Sequence, residues 1–213
     1  MDRNRSLQLY MKEHLSLYVF VGVIFLTGVV FGTIMAGALS LEQKQEIMRF
    51  VGNFFSSVEQ GALTDVGSTF QRSFTLHMKW ILIIWLLGMS VIGLPLILIL
   101  DFLKGVLIGF SVSYLVAQFS WKGLLFALVS IAPQNLVVIP ALIVCSVTAI
   151  AFSIYLVKQR LMIRNGSFYE LFMRYAGTIL LTGFLLAGVA WFEATISPIM
   201  MKWVTPMLIT MAS

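Results

Sequence analysis

Charged residues divide this chain into a few long stretches that contain none. No Asp, Glu, Lys or Arg occurs between His14 and Glu42, Lys79 and Asp101, Lys104 and Lys122, Lys122 and Lys158, or Arg174 and Glu193. A helix of about 20 such residues crosses the roughly 30 Å hydrocarbon layer of a bilayer. A water-soluble fold cannot absorb so much uncharged chain. The sequence is 60% apolar and 11% charged, whereas soluble domains run at about 45–50% and about 25%. Too few polar residues remain to cover a wet surface. The net charge of +5 comes from scattered basic residues, a pattern that suits anionic lipid and not nucleic acid.

Read this way, residues 1–213 form one all-α polytopic membrane domain, with spans at about 15–39, 80–100, 103–121, 136–157 and 175–192. Gly123–Val157 is too long for one crossing, since at about 1.5 Å per residue it would make a helix of about 50 Å. The expected break is Ala132-Pro133-Gln134-Asn135, where proline removes a backbone donor and disfavours helix in the residue before it. Residues 124–131 then read as a half-helix, either re-entrant or interfacial, and Pro140 is tolerated in the first turns of the following span. A single kinked helix is the plainer alternative. The half-helix layout is also found in ABC-2 type permeases. Ala36-Gly37-Ala38 resembles a signal-peptidase site, but Leu17–Met35 is longer than a signal h-region of about 7–15 residues, so it reads as an anchor.

Five crossings put the termini on opposite faces. With the N-terminus inside, Arg3, Arg5, Lys12, Lys104, Lys158, Arg160, Arg164 and Arg174 are cytoplasmic, against Lys44, Arg49, Arg72, Lys79, Lys122 and Lys202 outside. The positive-inside rule therefore favours N-in and C-out, the more so because four outside charges share one long loop with Glu42, Glu46, Glu59 and Asp65. That loop, residues 42–79, is the segment large enough to present an outer surface. Its start predicts an amphipathic helix over 41–58: Ser40 and Gln43 have capping-box spacing, and Ile47, Val51, Phe54, Phe55 and Val58 share one face. Such a helix can lie on the membrane, dock a partner or pack on its own bundle. As a docking face, Ile47, Phe50, Val51, Phe54 and Phe55 are the candidates. Pro198–Ser213 reads as an outer interfacial helix.

Helices in lipid approach closely through small residues spaced by four. Gly28, Gly32 and Ala36 make one such stripe, and Gly105, Gly109 and Ser113 another, each serving internal packing or a homo-oligomer such as a dimer. Ala141, Cys145, Ala149 and Ser153 continue the pattern, which makes Cys145 a small packing residue. No catalytic, metal or cofactor constellation is found: His14 and His77 sit beside span ends, and no hydrolase, zinc or nucleotide motif occurs. Asp101 reads as an interfacial residue paired with Lys104. Glu193, at the other membrane edge, reads as interfacial or capping.

The order of several short motifs resembles the SpoIIM (stage II sporulation protein M) family. These are Leu17-Tyr18-Val19-Phe20-Val21, Gly28-Val29-Val30-Phe31-Gly32, Leu41-Glu42-Gln43-Lys44-Gln45, Gly93-Leu94-Pro95, Phe102-Leu103-Lys104-Gly105, Ala132-Pro133-Gln134-Asn135 with Ile139-Pro140, and Phe192-Glu193-Ala194 with Ser197-Pro198. The resemblance implies a non-enzymatic component of the mother-cell membrane that acts during engulfment of the forespore. It implies SpoIIP and SpoIID, which remodel septal peptidoglycan, as the recruited partners, with no cofactor. The alternative is a membrane subunit of an ABC-type exporter, whose ATPase contact would fall at Met1–His14 or Lys158–Arg174.

Overall fold

A computed structural model of the chain describes residues 3–59, 65–90, 92–161 and 168–204. These form seven helices and no strand: α1 (Arg3–Gly37), α2 (Leu41–Glu59), α3 (Val66–Gly88), α4 (Gly93–Ser130), α5 (Ala132–Leu161), α6 (Phe168–Thr195) and α7 (Ser197–Val204). Among the described residues, four helical segments are long and apolar enough to cross a membrane: Leu15–Gly37, Gly93–Ser130, Ala132–Val157 and Leu171–Thr195. The side chains of residues 3–14 and 158–161, and the whole of 162–167, lie outside the description, and with them most of the candidate ATPase contact. Residues 205–213 of the tail do so as well; its described part is the helix α7.

Two boundaries differ from the sequence reading. The wet loop ends at Asp65, because Val66–Gly88 is one continuous helix. Asp65 caps it: the Asp65 carboxylate accepts the Gly67 amide at 3.2 Å. The Ser68 hydroxyl and this amide together hold the carboxyl below its ordinary range. The expected spans 80–100 and 103–121 are likewise not separate units. The chain breaks at Met89–Ile92 and then runs helically through Asp101 and Lys104. Glycine and proline, not charge, set this break. A Cβ on Gly93 would meet the Leu87 carbonyl, and Pro95 lacks the N–H that a first helical turn leaves unused anyway. Lys104 is consequently a mid-helix residue and not a loop charge.

The principal core lies among α1, α3, α4, α5 and α6, around Val21, Ile84, Ile97, Cys145, Tyr175 and Leu186. Its tightest seam joins α1 to α4. A Cβ on Gly28 or Gly32 would strike the Phe102 or Val106 carbonyl, and one on Gly105 or Gly109 would strike the Phe25 or Val29 carbonyl. The two glycine stripes therefore face each other within one chain, where they let two backbones touch. Ala36 on the first stripe is buried and Ser113 on the second is half-buried. The α5 stripe closes on the break: the Ser153 hydroxyl donates to the Ser90 carbonyl at 2.9 Å, and Ala149 and the Tyr175 hydroxyl crowd Gly88.

A second, smaller core holds α2, α7 and the end of α4 together. Ser120, at φ 51 and ψ −130, divides α4 into Gly93–Phe119 and the half-helix Trp121–Ser130. The half-helix folds back so closely that a Cβ on Gly123 would meet the Leu115 carbonyl. It thus starts three residues before the expected 124, and it ends in a turn at Ile131, one residue ahead of the expected break. Pro133, Gln134 and Asn135 occupy the first turn of α5, and Pro140 is accommodated inside that helix. Phe55 of α2 enters the elbow, with its ring 5.7 Å from Phe119 and 5.1 Å from Phe126. The left-handed backbone at Ser120 stores strain that glycine would relieve, of order 1–3 kcal/mol. Ser120→Gly is expected to stabilise the protein by about 1 kcal/mol, read as a higher unfolding temperature in detergent; a lower one would contradict this.

Candidate functional site

The helix breaks bring a set of polar side chains, scattered through the sequence, to one junction between α3, α4, α5 and α6. His77 is buried on α3 because it shares the inward face of that helix with Ile81, Ile84 and Gly88. Its Nε2 donates to Glu193 Oε1 of α6 at 3.0 Å, with only 7% of the histidine side chain and 12% of the glutamate side chain exposed. Ser73, one turn before His77, lines the same cavity as this carboxylate. Lys104 of α4 is electrostatically coupled to Glu193, and its Nζ lies 5.5 Å from the centre of the Trp80 ring. Beside this group is a cavity of about 310 Å³ that Arg72, Gln134 and Asn135 also line.

Glu193, near the C-terminal end of α6, is turned inward, where it holds a buried pair with His77. Asp101 is also internal. It is 5% exposed, accepts the Ser146 hydroxyl at 2.8 Å and leaves Oδ2 without a partner. Asp101 does not pair with Lys104, whose side chain reaches the other way, over Trp80. Ionisable groups inside a membrane bundle are costly and generally face one another or a water-filled cavity. The junction of His77, Glu193 and Lys104 has that arrangement. Among the described residues no group of three metal-ligating side chains comes together.

The candidate docking residues lie elsewhere, on the smaller core. The capping box forms: the Ser40 amide donates to Gln43 Oε1 at 3.0 Å, and the Gln43 amide donates to Ser40 Oγ at 3.3 Å. The Tyr114 hydroxyl fastens the helix to α4 by donating to the Lys44 carbonyl at 2.8 Å. Phe55 is 2% exposed, with ring neighbours on the half-helix, so this chain occupies that part of the face itself. Ile47 and Val51 are half-buried, whereas Phe50 is 72% and Phe54 39% exposed. Together they wall an apolar groove of about 380 Å³ between α2 and the elbow of α4. Pro133, Gln134, Asn135 and Pro140 remain on α5.

The fold and its inward-facing ionic junction define a multi-pass α-helical membrane protein. Within that class the chain belongs to the SpoIIM family: the family model described as Stage II sporulation protein M matches residues 21–198. The family is not a known enzyme family. No curated protein and no solved structure matches the chain significantly.

Proposed function

We propose that this protein is a non-enzymatic membrane scaffold of the sporulation engulfment machinery, which recruits and anchors SpoIIP- and SpoIID-like cell-wall enzymes at the septal membrane. In this reading α3 is a fifth crossing, the N-terminus is cytoplasmic and α2 caps the outer end of the bundle. Of its three wet side chains, His77 is paired within the bundle and Arg72 sits on the outer half of the helix, where a long cation reaches the interface; Lys79 lies just past the midpoint of α3 and must snorkel along its own stem to reach water.

The observation that carries the reading is the division of labour on α2. Phe55 and Val58 are sequestered in the chain's own core, while Phe50, on the same rigidly capped helix, is left outside. Large aromatic side chains held on a fixed helix are the kind of anchor that protein interfaces concentrate. The test is co-purification of partner enzymes with Phe50→Glu/Phe54→Glu. Partner recovery is expected to fall at least about tenfold, equivalent to about 1.4 kcal/mol, while membrane insertion is unchanged. Full recovery with the double variant would remove α2 as the docking element.

A further inference from the structure

We propose that the junction cavity is a binding site for the phosphate of an anionic membrane amphiphile, held by Arg72 together with the amides of Gln134 and Asn135. The charge balance of the cavity is the first argument. Glu193 is already engaged by His77 at 3.0 Å, with Lys104 beside it in the cavity lining. Among the described residues no carboxylate lies within ion-pair distance of Arg72. Arg72 and Lys104 against the one carboxylate leave an excess of positive charge along the cavity, and such an excess attracts an anion.

The donors around it are the second. Gln134 and Asn135 enter the cavity from the first turn of α5, the end of a helix that carries partial positive charge; Asn135 Nδ2 donates one hydrogen to the Ile131 carbonyl at 2.8 Å, which leaves its second N–H and the Gln134 side-chain amide for a ligand. An arginine fork, side-chain amides and a helix start suit the oxygens of a phosphate.

The mouth of the cavity separates an amphiphile from the other anions. It is flanked by Leu76 of α3 and Leu107 of α4, 49% and 50% exposed, so acyl chains can lie on an apolar wall while the head group turns inward. At about 310 Å³ the space admits a glycerol phosphate but not the helix of a partner protein, which is about 10 Å across. The cavity adjoins the α2 groove through Ser111, Ile131 and Gln134, whereas Arg72, Leu76 and Leu107 line the cavity and not the groove, so Arg72→Gln alone tests the site apart from partner docking.

Native mass spectrometry of the detergent-purified protein, with phosphatidylglycerol and phosphatidylethanolamine of matched chains, tests the assignment. The wild-type protein is expected to retain phosphatidylglycerol in preference. Arg72→Gln/Gln134→Leu should lower its retention about tenfold, and Arg72→Gln alone, at an exposed position that folding tolerates, several-fold. Arg72→Lys, which keeps the charge but loses the fork, should fall between. Retention that is equal for both lipids, or unchanged in both variants, would overturn the site. Displacement of the lipid by an equal concentration of inorganic phosphate would overturn its assignment to an amphiphile. A photo-crosslinker at Leu76 that captured a partner polypeptide and no lipid would do the same.

Discussion

Leucine at Gly105 is expected to drive α1 from α4 and cost about 3 kcal/mol or more of stability. The Cβ that any other residue brings there runs into the Phe25 carbonyl. Backbone cannot yield as the end of a flexible side chain can, and over-packing a close seam costs typically 1–3 kcal/mol even when side chains absorb it. In lipid little compensates, because separated helices gain no hydrophobic penalty that would drive them back together. Gly22 supplies the control. It lies on α1, the helix that Gly105 of α4 packs against, yet a Cβ there would meet nothing within 4 Å, so Gly22→Leu should leave the protein near wild type. Unfolding midpoints in mixed micelles distinguish the two sites. Equal losses at Gly22 and Gly105 would mean that the glycine seam is not what holds α1.

The second large effect is expected at the buried pair. Glu193→Leu leaves His77 with no acceptor for Nε2 and Lys104 with no opposing charge, and removal of one partner of such a pair costs about 3–5 kcal/mol. His77→Leu in the same background should restore part of the loss, since an apolar pair of similar volume avoids the uncompensated donor. A double-mutant cycle on the unfolding free energy measures the coupling. Additive effects of the two substitutions would show that the 3.0 Å contact has no energetic role in the bundle.

These two sites differ in how far the sequence discloses them. Gly28, Gly32, Gly105 and Gly109 announce close packing by spacing alone, although spacing cannot say which stripe meets which. α2 is equally legible, because the capping box and the apolar face are local properties of a short segment. The His77–Glu193 pair is not: its members are 116 residues apart, and no periodicity links them. Asp101 misleads for a related reason. In a single sequence a carboxylate between two apolar runs looks like a boundary, and only the hydroxyl of Ser146 on another helix makes it an interior residue. The break at Met89–Ile92 carried a signal, in Gly88, Gly93 and Pro95, that charge counting passes over. Ser120 offers none, since serine is an ordinary residue in any helix and its left-handed backbone follows from packing around Phe55.

The seam between α1 and α4 also has a meaning for biosynthesis. The ribosome makes α1 long before α4, at about 5–20 residues per second. For a period on the order of seconds, therefore, the earlier helix waits in the bilayer with its notched face toward lipid and its true counterpart still untranslated. Whatever shields nascent helices during insertion has its longest task on that face, between Phe25 and Ala36, and crowding by a stray neighbour there would misassemble the chain before its last helices exist.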